Sequence, residues 1–141
     1  MGKFHASMLG SFLVAGIVAA TPAFAQAYLF DLLAKPAYAK SWNALFPGEK
    51  DVDSWLTEYA RTKNGPATPG TRITLDDKRY QINNVCKAHS CWGNTFYVLF
   101  APDGARAWGL LLTEDRDGGK TERFFGNPDE PKKQVLRDAA I

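Results

Sequence analysis

Apolar positions recur at helical spacing in the first part of the chain and run in blocks or alternate in the second, so helices are expected before strands. Tyr28 to Leu33 and Ala37 to Phe46 read as two helices separated by Pro36, and Pro47-Gly48 stops the second. Asp51 or Asp53 is placed to cap a third helix, whose apolar face is Trp55, Leu56, Tyr59 and Ala60. Asn64-Gly65-Pro66 ends it, and Gly65 to Gly70 is a turn region rich in Gly and Pro. Strands are then expected at Arg72 to Leu75, Lys78 to Val85, Asn94 to Ala101, Ala105 to Thr113 and Lys120 to Phe125. Asp76-Asp77, Pro102-Asp103-Gly104 and Asp115 to Gly119 supply turns between them.

Short turns make the sheet antiparallel. The runs Phe96 to Phe100 and Trp108 to Leu112 are nearly continuously apolar, which predicts strands buried on both faces. Asn127 is placed to cap a last helix, with Pro128 at its first position and Glu130 three residues past the cap. The expected fold is a single α+β domain, residues 26–141: an antiparallel sheet of about five strands with helices packed on it. Trp55 and Trp108 lie on core runs, whereas Trp92, beside Gly93, is expected to pad the base of the loop that precedes it.

Residues 1–25 have the form of a secretory leader. Lys3 gives a positive start, Met8 to Ala20 is an uncharged apolar run, and Ala23-Phe24-Ala25 is a cleavage signal. The run falls short of the ~20 apolar residues a spanning helix needs, so no membrane anchor is expected after cleavage. Cleavage removes His5 and, among the charges, Lys3 alone, leaving 16 Lys and Arg against 15 Asp and Glu. That balance lacks the basic stripe of a nucleic-acid binder.

Export changes the reading of the two cysteines. In an oxidising compartment Cys86 and Cys91 are expected to pair. They bracket Lys87, Ala88, His89 and Ser90, between the second and third strands, so the bridge closes a protruding hairpin loop. Facing Cα atoms at a hairpin neck are ~4.5–5.5 Å apart, a separation that suits a disulfide. A zinc site at Cys86, His89 and Cys91 would lack a fourth ligand. A redox pair would have two intervening residues rather than four. A cysteine nucleophile with His89 as its base is poorly placed within one small ring. No metal, cofactor or catalytic residue is therefore expected, and two readings stay open: a hairpin staple with solvated side chains, or a preordered recognition loop.

Cys86, Lys87, His89 and Cys91 fill the four defined positions of the pattern C-K-x-H-x-C. In this the segment resembles the signature loop of the Ivy family, the inhibitors of vertebrate lysozyme. The leader, the chain length, the helices before the sheet and the mid-chain position of the loop resemble that family too. The resemblance implies a periplasmic, non-enzymatic inhibitor of C-type lysozymes whose loop enters the active-site cleft. Its histidine, here His89, would contact the two catalytic carboxyl groups, and Lys87 would add positive charge beside an acidic cleft. Ala88 and Ser90 occupy variable positions, where relatives can carry a proline and an acidic residue. With a hydroxyl at Ser90, an anionic contact to a cationic lysozyme would fall to Glu114, Asp115 or Asp117, unless these are merely a solvated turn. The bacterium's own lytic transglycosylases are further candidate partners, and an exposed sheet edge leaves a homodimer open. The alternative function is a periplasmic peptidoglycan-binding or structural module that inhibits no enzyme.

Overall fold

The computed structural model describes Gly2 and residues 26–141, so the expected leader lies, apart from Gly2, outside the described residues. Helices α1 (Leu29–Leu32), α2 (Pro36–Asn43), α3 (Ser54–Thr57) and α4 (Tyr59–Thr62) precede five strands, β1 (Thr71–Leu75), β2 (Lys78–Cys86), β3 (Asn94–Phe100), β4 (Ala107–Glu114) and β5 (Lys120–Phe125). Helix α5 (Glu130–Asp138) closes the chain. The strands form one antiparallel sheet in the order β1-β2-β3-β4-β5, the meander that the short turns predict.

Strand periodicity sorts the side chains onto two faces. Asn83 stands opposite Val98, Val98 opposite Gly109 and Gly109 opposite Phe125, all on the face covered by α1 to α4. Ile82, Leu99 and Trp108 align on the other face, where α5 lays down Leu136. Both faces of β3 and β4 are thus covered, as their apolar runs require.

Trp42 is the centre of the first core. It is fully buried, its ring meets Phe96 edge-on with centroids 5.2 Å apart, and its Nε1 donates to the Leu56 carbonyl at 3.2 Å. Truncating such a residue costs about 3–5 kcal/mol. Gly109 makes room for Phe96, because a Cβ there would lie 2.2 Å from the ring. Buried Asn83 donates from Nδ2 to the Ala27 carbonyl at 2.8 Å, tying the start of the described chain to the sheet.

The helices differ from the sequence reading in three places. α1 and α2 are shorter than expected, and Leu45 and Phe46 reach the core from the turn after α2. The third expected helix is two single turns, separated at Glu58 (φ −97°, ψ −5°). Its expected cap, Asp53, sits at the cap position but gives its carboxylate no backbone partner there. The cap of α5 is Asp129 rather than Asn127. Asn127 follows Gly126 with a φ of 53°, and this reversal carries the chain two residues further before the helix starts. Asp129 Oδ1 accepts from the Lys132 backbone N–H at 3.1 Å, and Pro131 rather than Pro128 occupies the first turn.

Candidate functional site

β2 ends at Cys86, which stands opposite Thr95 of β3. The Lys87 N–H donates to the Asn94 carbonyl at 3.0 Å, carrying the ladder one step past the strand. The chain then reverses in a four-residue turn closed by Ser90 N–H to the Lys87 carbonyl at 2.9 Å. His89 takes the third position of this turn with a φ of 63°, a left-handed conformation in which histidine is enriched over most non-glycine residues. Cys86 and Cys91 are joined, with Cα atoms 4.8 Å apart, and the chain enters a 3-10 turn, Cys91–Gly93.

Two glycines let neighbouring backbone press on this ring. A Cβ on Gly65, at φ 149°, would lie 2.6 Å from the Cys86 carbonyl oxygen, and the adjoining Pro66 carbonyl accepts from the Cys86 N–H at 3.0 Å. A Cβ on Gly93 would lie 2.6 Å from the Glu114 carbonyl oxygen. The loop is therefore gripped from the α4–β1 connection on one side and from the end of β4 on the other.

The ring residues have unequal positions. His89 is exposed, while Lys87, Ala88 and Ser90 are half-buried. Lys87 Nζ donates to Asp53 Oδ2 at 3.1 Å, which is where the expected cap carboxylate of α3 has gone. Ser90 Oγ accepts from Asn94 Nδ2 at 3.1 Å, so its hydroxyl braces the loop. Thr95 Oγ1 donates to the Cys91 carbonyl at 3.2 Å. Tyr59, fully buried, has no hydrogen-bond partner for its hydroxyl among the described residues, and burial pushes its phenol up from the ordinary 10.0.

Sequence reasoning missed Asp53, Asn94 and Thr95 as loop supports, and it misplaced Trp92. The indole neither pads the loop's base nor enters the core; it is 62% exposed. Trp108 is buried as expected, and Trp55 packs against the core while staying half-buried. Glu114, Asp115 and Asp117 lie at the β4–β5 hairpin, at the same end of the sheet as the loop. Asp115 is occupied with its own turn, its Oδ1 accepting from Asp117 N–H at 3.0 Å and Gly119 N–H at 2.7 Å. Glu114 lies 3.8 Å from Lys120. Both cysteines are consumed by the bridge, and among the described residues no three His, Cys, Asp or Glu side chains gather as a metal-holding group.

A meander covered on both faces, with a bridged loop carrying one exposed histidine, defines a domain that presents a fixed hairpin. Residues 37–126 match the family described as Inhibitor of vertebrate lysozyme (Ivy). A Pseudomonas aeruginosa PAO1 protein named Inhibitor of vertebrate lysozyme is 32% identical over 120 residues, 79% of this chain and 76% of that one. The protein of the same name from Escherichia coli K12 is 34% identical over 104 residues, 72% of this chain and 62% of the relative. A Yersinia pestis relative is 33% identical over 127 residues, 84% of this chain and 77% of its own length. The chain belongs to the Ivy family.

Proposed function

We propose that this protein is an exported, periplasmic inhibitor of C-type lysozymes that seats residues 86–91 in the active-site cleft and blocks peptidoglycan hydrolysis without covalent chemistry. The observation that carries the reading is the loop itself. It is closed by a bridge and braced by Asp53, Asn94 and Thr95, yet His89 is left exposed at its tip. Relatives named for lysozyme inhibition support the choice of partner.

The chemistry is hydrogen bonding and occlusion. Lysozyme keeps one catalytic carboxyl protonated in an apolar pocket and the other ionised. A neutral imidazole accepts from the first through one ring nitrogen and donates to the second through the other. Because the loop backbone is already ordered, little further entropy is lost on docking.

The test is lysis of bacterial cell walls by chicken-type lysozyme, titrated with the mature protein and with His89→Ala. Stoichiometric inhibition by the wild type is expected. The variant should bind about 30- to 1,000-fold more weakly, the 2–4 kcal/mol scale of an interface hot spot, with an unchanged melting curve. Full lysis at excess wild-type protein, together with capture by a peptidoglycan pull-down, would replace this reading with the wall-binding alternative.

A further inference from the structure

We propose that Trp92 is a second anchor of the same interface, placing its indole on the lip of the lysozyme's saccharide-binding cleft while His89 enters the cleft; this rests on the inhibitory reading above. The four tryptophans of the chain are treated differently by the fold. Trp42 is fully buried, Trp108 nearly so and Trp55 half-buried, whereas Trp92 is 62% exposed. That leaves roughly 100–150 Å² of the residue facing water, given the 150–250 Å² an aromatic residue can bury.

The ring is exposed but its pedestal is fixed. Cys91 before it is bridged, and the Cys91 carbonyl accepts from Thr95 Oγ1 at 3.2 Å. Gly93 after it donates to the Ser90 carbonyl at 3.4 Å and lies against the Glu114 carbonyl too closely to admit a side chain. Binding through the indole therefore has only two side-chain torsions to freeze, the property that makes tryptophan a low-entropy anchor. The indole also forms one wall of a hollow of about 190 Å³, completed by residues that include Tyr97, Leu112 and Lys120. The patch has relief as well as apolar area.

Position supplies the partner. Trp92 lies three positions after His89, so their Cα atoms lie within about 11 Å of each other. An interface of ~800 Å² per side is roughly 30 Å across, wide enough to take in both residues. A cleft that holds sugar rings offers flat apolar surface beside polar groups, and an indole, with a broad apolar face and one N–H donor, matches that chemistry.

The experiment labels the mature protein with 5-fluorotryptophan and follows the four fluorine resonances as unlabelled chicken-type lysozyme is added. Trp92→Phe assigns the Trp92 signal. The expected result is a shift of that signal. Trp92→Ala should bind at least about 30-fold more weakly, the hot-spot threshold, with an unchanged melt. An unmoved Trp92 resonance, with Trp92→Ala binding as well as wild type and His89→Ala not, would overturn the anchor and leave the inhibitory reading standing. Absence of any binding by the wild type would overturn both.

Discussion

Replacing Cys86 and Cys91 together by serine should damage binding more than folding. In the chain-entropy model a ring this short constrains the unfolded chain by about 2 kcal/mol, so the melting temperature should fall by no more than about 8 °C for a domain of this size. Trp42, Phe96 and the rest of the two cores do not depend on the bridge. The loss in binding follows from which residues the open loop releases. Four lie inside the ring, but the structure keeps hold of two. Lys87 retains its ladder bond to Asn94 at 3.0 Å, and Ser90 retains the Asn94 side chain at 3.1 Å. Ala88 and His89 become free, and reordering two residues costs about 2–4 kcal/mol at 1–2 kcal/mol each. Affinity for lysozyme should drop about 30- to 1,000-fold, mainly through faster dissociation. A denaturant melt and a dissociation-rate measurement on the same preparation check both halves. A double variant that inhibits like wild type would refute the argument and reduce the bridge to a hairpin staple. Collapse of the fold would refute it from the other side.

His89→Gly should melt within about 1 kcal/mol of wild type while losing inhibition as His89→Ala does. Glycine relieves the left-handed turn position at φ 63° but adds comparable freedom to the unfolded chain; a melt and a lysis assay decide it. Asp129→Ala should lower the melting temperature at neutral pH, and the gap to wild type should close in acid. The Lys132 side chain, then its backbone N–H, hold the Asp129 carboxyl below its ordinary 3.8. Such a depressed group contributes stability that is present above the unfolded value and lost as pH falls through the folded one, so a gap that stays constant from pH 7 to pH 2 would contradict the assignment.

Much of the sheet was legible because its signals are local. Asp76-Asp77 and Asp115 to Gly119 sit where the hairpins turn, and β5 has the bounds its sequence implies. The helical half was harder. Nothing around Glu58 marks a break, and the two turns it separates are held by core contacts of Leu56 and Tyr59 rather than by propensity. The α5 cap was ambiguous in principle, since Asn127-Pro128 and Asp129 with Pro131 both satisfy the rules for a helix start. The positive φ of Asn127 after Gly126 decides between them, and it is a property of the β5–α5 reversal. The ring was legible from cysteine spacing and the expectation of export, but its supports were not. Asp53 and Lys87 stand 34 residues apart, and no spacing rule joins them. Trp92 was misread because an indole beside a loop looks the same in sequence whether it faces in or out.

The Asp53–Lys87 pair changes the role expected of the lysine. The family resemblance implies a Lys87 that brings positive charge beside an acidic cleft. In the structure its ammonium lies 3.1 Å from Asp53, with 41% of the lysine side chain and 59% of the aspartate side chain exposed. An ion pair this open to water contributes about 0.2–1 kcal/mol, enough to bias where the side chain rests and too little to trap it. In the free protein the pair therefore acts as a brace, holding Lys87 at the start of α3 and tying one flank of the ring to the helical layer. In the proposed complex the balance differs, because lysozyme covering the loop removes water from the lysine and strengthens whichever carboxylate it faces. If Lys87 stays on Asp53, the pair becomes part of the buried rim and holds the ring in place. If it transfers to the cleft, Asp53 is left facing a cationic enzyme, an attraction that offsets part of the cost of desolvating the unpaired carboxylate. On the proposed reading, then, the pair serves recognition as well as the fold.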